Sequence, residues 1–160
     1  MIRKILLALD GSERAAGVFA AAVEVATRFD ATLIPFRAIQ VPPEFPPAAH
    51  SSHADPLPVH LEHEAVAEML RLFENVEVKR EAPVIGQGQA WRAILEAGEQ
   101  HDVDLIVLGS HGYHGIDRVL GTTAGKVANL ARRNVLVVHN RVDPPSSQAL
   151  LAERSRDGPR

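Results

Sequence analysis

Cysteine is missing altogether from the 160 residues. That excludes a disulfide framework, thiolate metal sites and cysteine nucleophiles, and it fits a reducing compartment. Aromatic residues make up only 4%, too few to build stacking platforms for single-stranded nucleic acid. Seventeen Lys and Arg stand against twenty Asp and Glu, a formal charge of −3. No basic run or basic face is present, so an electrostatic nucleic-acid binder is disfavoured. No apolar stretch approaches the roughly 20 residues of a membrane span. The basic start MIRKILLALDGSE loses its apolar run at Asp10, too soon for a signal sequence. What these absences leave is a soluble, expectedly cytoplasmic single domain, of a length that buries roughly 70% of its unfolded surface.

What the chain does have is alternation between apolar runs and helical periodicity. Ile5–Leu9 reads as a strand that ends in Asp10-Gly11-Ser12, a turn and helix start. Helices are predicted over Glu13–Arg28, Val59–Phe73, Gln89–Gln100 and Thr122–Arg132, the third with Trp91, Ile94 and Leu95 inward. Further strands are predicted at Thr32–Ile39, Val76–Ala82, Asp104–Gly109 and Val135–His139. Near-continuous Val/Ile/Leu strands separated by helices indicate an α/β fold, a doubly wound five-stranded parallel sheet sandwiched by four helices. Residues 1–140 form this domain. Two segments stand outside the plan: a loop over 40–58 with six of the eleven prolines, and a polar tail over 141–160 expected to be disordered.

Open parallel sheets take ligands beyond the carboxyl ends of their strands, at the topological switch point. Asp10-Gly11-Ser12 follows the first strand, and Gly109-Ser110-His111-Gly112 follows the fourth, leading to Gly121-Thr122-Thr123 at a helix start. Glycines let a backbone approach a ligand closely, and a helix start offers unpaired N–H groups to phosphate. The same residues have plainer uses, the glycines as turns, Thr122 or Thr123 as a helix cap, and Asp10 as a cap or turn residue. A Walker A loop does not fit, because Gly121 through Val127 has the wrong spacing and no hydroxyl at Val127. A dinucleotide fingerprint is absent after the first strand. Asp10 has no adjacent acid for a phospho-acceptor cluster.

The segments KILLALDGS, Gly109-Ser-His-Gly112 … Gly121-Thr122 and NVLVVH together resemble the universal stress protein family, over about Met1–Asn140. The resemblance implies a five-stranded parallel sheet and a homodimer through the last strand, with an unidentified protein partner. It also implies membership of the ATP-binding branch, whose signature is Gly-x2-Gly-x9-Gly-Ser/Thr. Eight residues, Tyr113 to Leu120, lie between Gly112 and Gly121 here, one fewer than that pattern. Carried over residue by residue, Asp10 would hold the ribose or adenine of ATP, with Ala8 on the same strand. Ala38 and Leu108 would give further contacts. Gly109 and Gly112 would border ribose and phosphates, and Gly121, Thr122 and Thr123 would bind phosphate oxygens, with or without Mg²⁺. Two other functions remain open: a nucleotide-free interaction module of the same fold, and a slow ATPase or autophosphorylating protein.

His50-x2-His53 and His60-x2-His63 have metal-ligand spacing, but no cysteine or converging acid supports a site; His50 and His53 fall in the proline-rich loop and His60 and His63 on an expected solvated helix face. His111 and His114 in the glycine loop receive no catalytic role. No nucleophile elbow, catalytic triad or carboxylate pair can be placed, so an enzyme has little support.

Overall fold

The run Ile5–Leu9 has no polar alternation, as a strand must when both its faces are covered, and it takes the centre of the sheet. In the computed structural model, which describes residues 1–40, 57–110 and 122–139, the elements follow one another as β1 (Lys4–Ala8), α1 (Ala15–Phe29), β2 (Thr32–Ile39), α2 (Leu57–Leu72), β3 (Val84–Gln87), α3 (Ala90–Gln100), β4 (Leu105–Gly109), α4 (Thr122–Leu130) and β5 (Asn134–Val138). The strands are all parallel, in the order β3-β2-β1-β4-β5. The doubly wound five-stranded sheet with four helices is therefore observed. The interior of the 40–58 loop and the 141–160 tail lie outside the described residues. No helix among the described residues is long and apolar enough to cross a membrane.

Successive residues of the central strands feed two cores. Ile5, Leu7, Leu33 and Val107 pack with Val18, Phe19, Ala22 and Ala26 of α1 and Met69 of α2. Leu6, Ile34, Phe36 and Ile106 pack with Ala93, Ile94 and Ala97 of α3 and Ala124 and Val127 of α4. Ile5, Leu6 and Leu7 are fully buried, each side chain contributing about 1.5–3 kcal/mol by leaving water. The Phe19 and Phe73 rings meet edge to face at 4.8 Å and tie α1 to the end of α2.

One expected strand is displaced. The sheet's third strand is Val84–Gln87, not Val76–Ala82. Within the latter segment only Arg80 bridges β2, at Leu33, with Leu33 N–H donating to Lys79 and Glu81 N–H donating to Leu33. Val76 and Val78 alternate because they plug the lower end of the α1/α2 core. Four residues of β2 (Leu33 to Phe36) face five of the edge (Arg80 to Val84). That extra residue accommodates Pro83, which cannot donate to a ladder.

At the opposite end from the strand termini that could bind ligand, Asp104 fastens three strands together. Its Oδ2 accepts the backbone N–H groups of Arg3 at 2.7 Å and Lys4 at 3.0 Å, and its own carbonyl accepts Asn134 Nδ2 at 3.0 Å. The two backbone hydrogen bonds, Arg3 first, hold the Asp104 carboxyl below its ordinary value. A carboxyl lowered in the folded state stabilises above its unfolded value of about 3.9 and loses that contribution as pH falls through the folded one. We expect Asp104→Asn to cost about 1 kcal/mol at pH 7, below the roughly 1.5–3 kcal/mol of bonds to a charged group because the site is partly exposed to solvent. Urea denaturation checks it: the gap from wild type should be present at pH 7 and narrow below pH about 4.

Candidate functional site

After β1 the chain winds outward to β2 and β3, then returns to the other side of β1 as β4. The segments following β1 and β4 leave the sheet in opposite directions, which opens a crevice between them. Leu9 N–H donates to Phe36 at 2.9 Å and carries the ladder one residue past β1. The chain then turns sharply. Asp10 Oδ1 accepts the Ser12 N–H at 3.0 Å and the Ser12 Oγ–H at 2.8 Å, an Asx turn. Gly11, at the corner, has φ +73°, a conformation that costs a side-chain-bearing residue free energy. Asp10 does not cap α1, whose N-cap is Arg14. On the β4 side, Ser110 N–H donates to Val138 at 2.9 Å, and Ser110 Oγ and His139 Nδ1 are 2.9 Å apart. Gly109 at the end of β4 lies under α1: a Cβ there would stand 3.0 Å from Val18 Cγ2.

Between these segments lies a cavity of about 190 Å³. Its apolar walls come from Ala8, Phe36, Ala38, Ile94, Leu108 and Val138, and its polar rim from Asp10, Ser12, Arg14, Ser110 and Thr123. Of the residues singled out in the sequence, Ala8, Asp10, Ala38, Leu108, Gly109 and Thr123 all line it. Thr122 opens α4, is exposed and is not among the lining residues. Gly112, Gly121, His111 and His114 lie outside the described residues, as do His50 and His53. His60 is exposed and stands 3.4 Å from Glu64 Oε1, and His63 is exposed. Among the described residues no group of three or more His, Asp or Glu could hold a metal ion.

Of the other rim and wall residues named above, Arg14, Phe36, Ile94 and Val138 were not site candidates from the sequence, and Ser12 and Ser110 stood there only within the two turn motifs. Arg14 carried a usable signal. Helix starts favour acids, because the dipole there is positive, yet α1 has no acid in its first turn and has Arg14 as its N-cap. Val138 carried none, since it reaches the site only when β4 and β5 pair.

The Universal stress protein family model matches residues 1–139. Universal stress protein A homolog 1 of Coxiella burnetii is 34% identical over 140 residues, covering 85% of this chain and 95% of that protein. A universal stress protein solved in complex with cAMP superposes with a TM-score of 0.65 at 22% identity, covering 86% of this chain and 97% of that one. A family protein from Arabidopsis thaliana with AMP bound gives 0.60 at 16% identity, covering 92% and 99%. The family match spans β1 through β5, the whole of the sheet that forms the cavity. The chain belongs to the universal stress protein family.

Proposed function

We propose that the protein binds an adenine nucleotide, ATP, in the crevice between β1 and β4, and acts in the cytoplasm as a regulatory stress-response module. The observation that carries this reading is the composition of the cavity: an apolar slot with a carboxylate, three hydroxyls and one guanidinium at its rim. A purine suits the slot lined by Ala8, Ala38, Ile94 and Leu108. Asp10, whose Oδ1 already accepts two donors from Ser12, suits the ribose hydroxyls. A volume of about 190 Å³ lies below the roughly 300 Å³ at which ligand pockets begin. It suits base and sugar and leaves the phosphates at the rim, toward Ser110, Thr123 and the start of α4. Two solved structures of this fold hold adenine nucleotides, cAMP in one and AMP in another. Magnesium, if it enters, would be carried by the phosphates, since the rim supplies a single carboxylate.

A net charge of −3 gives a polyanion no help from the global field. Affinity for phosphate then has to come from local donors: the α4 N-terminus, the rim hydroxyls and Arg14. Saturation at a hundredfold the dissociation constant should stabilise the protein by about 2.7 kcal/mol, roughly 5–10 °C in melting temperature. No shift with ATP and Mg²⁺, on protein verified free of retained nucleotide, would leave a nucleotide-free interaction module as the function. Where binding is measured calorimetrically, Arg14→Ala should weaken ATP by about 1–2 kcal/mol, five- to thirtyfold, and leave adenosine nearly unchanged. Equal losses for ATP and adenosine would remove Arg14 from the phosphate site.

We further propose a homodimer through β5. This strand is the sheet edge, no described strand pairs with its outer side, and Val135–Val138 are all apolar and half-buried. Ser110 N–H bonds Val138, so in this parallel ladder the backbone groups of Val138 and Leu136 face β4 and those of Val137 face outward. Light scattering at tens of micromolar should give a dimer mass for wild type and a monomer mass for Val137→Pro, which deletes an outward N–H. A monomeric wild type contradicts the proposal.

A further inference from the structure

Neighbouring residues of a strand point to opposite faces of the sheet, and β2 shows the consequence beside the site. Phe36 and Ala38 line the cavity, while Arg37 points to the α2 side. There Arg37 forms an ion pair with Glu68 of α2, and its side chain is 22% exposed. The guanidinium lies against the Gly11 backbone: a Cβ on Gly11 would stand 2.6 Å from Arg37 Cζ and 2.9 Å from Nη1. Two further spaces, of about 180 and 240 Å³, flank this contact. Arg37 and Glu68 line both, one together with Gly11 and Ser12, the other together with Asp10. The Asp10–Ser12 turn is therefore a partition, with the cavity on one side and the Arg37–Glu68 pair on the other.

We propose that Arg37 is a positioning residue for Asp10. Its planar guanidinium, held in place by Glu68, braces Gly11 from behind and keeps the turn in the form in which the Asp10 carboxylate is fixed by Ser12 and presented to the cavity. An ion pair with an exposed carboxylate contributes little to stability by itself; here its consequence is geometric. A lysine would keep the charge but not the flat plate that fits over a glycine. The bracing also ties the site to α2, so loss of the Glu68 carboxylate, on a different element from the turn, should loosen Asp10 as well. The bearing of this on ligand affinity rests on the nucleotide reading above; the bracing itself does not.

The test begins in the free protein. Amide exchange by NMR should show the Ser12 N–H exchanging at least fivefold faster in Arg37→Ala and in Glu68→Ala, with the amides of Leu6 and Leu7 in β1 unchanged. Arg37→Lys should fail to restore the wild-type rate. Ser12 exchange within twofold of wild type in Arg37→Ala, or full restoration by lysine, would overturn the proposal. The second arm is calorimetric titration with ATP. Arg37→Ala should weaken binding five- to twentyfold, and the Arg37→Ala/Asp10→Ala double variant should bind no more weakly than Asp10→Ala alone, because Arg37 acts through Asp10. Additive losses contradict it. If the wild type binds no nucleotide, the functional reading fails while the exchange measurements still decide the bracing.

Discussion

Everything in this protein depends on β1 being paired on both edges, with β2 on one side and β4 on the other. A strand in that place must be apolar on both faces, and Ile5, Leu6 and Leu7 are fully buried. The same arrangement forces the chain to leave the sheet in opposite directions after β1 and β4. The crevice that results is a product of the topology, and the residues at its lip can then be chosen for chemistry. Asp10 and Gly11 on one side are the first residues freed from the ladder, and on the other Gly109 and Ser110 have passed the end of β1 while still bonded to β5. At the opposite end no such opening is needed, and there a single carboxylate, Asp104, draws the starts of β1, β4 and β5 together.

The lip combines two requirements that would conflict in a looser structure. On the nucleotide reading proposed above, a carboxylate at the lip has to be held toward the sugar and away from the phosphates, which it would repel. Here Asp10 is fixed by two donors from Ser12, and the sharp turn that allows this needs Gly11 at φ +73°. Arg14 supplies a cation four residues later at the start of α1, against the ordinary preference for acids there. The apolar walls between these groups come from residues that also belong to the core behind α3 and α4, such as Phe36, Ile94 and Leu108. Core and site are thus one packing arrangement, with the strand ends as their boundary.

Strands buried on both faces were legible in the sequence because a run such as Leu105–Leu108 is short, carries Ile106 and Val107 and stops at Gly109. So was the lip, since Asp10 and Gly109 stand where those runs stop. The edge strand β3 was not legible. It is four residues long, and Gly86 within it weakens any strand pattern, yet Gly86 is required because a Cβ there would meet the Phe36 ring at 2.6 Å. The alternating Val76 and Val78 drew the assignment away, since a strand and an extended core-plugging segment have the same period. Arg37 was hidden for a related reason. It interrupts the apolar run of β2 and looks like a solvated edge position until the fold brings Gly11 and Glu68 against it.

The central claim is that the crevice between β1 and β4 is a nucleotide site, and residue-resolved NMR during titration with ATP tests it most directly. The account predicts saturable shifts at the amides of Leu9, Asp10, Ser12, Ala38, Gly109, Ser110 and Thr123, with Leu70 and Arg71 on α2 unmoved. Millimolar ATP that moves none of these amides, or a response centred on another face of the protein, would contradict it.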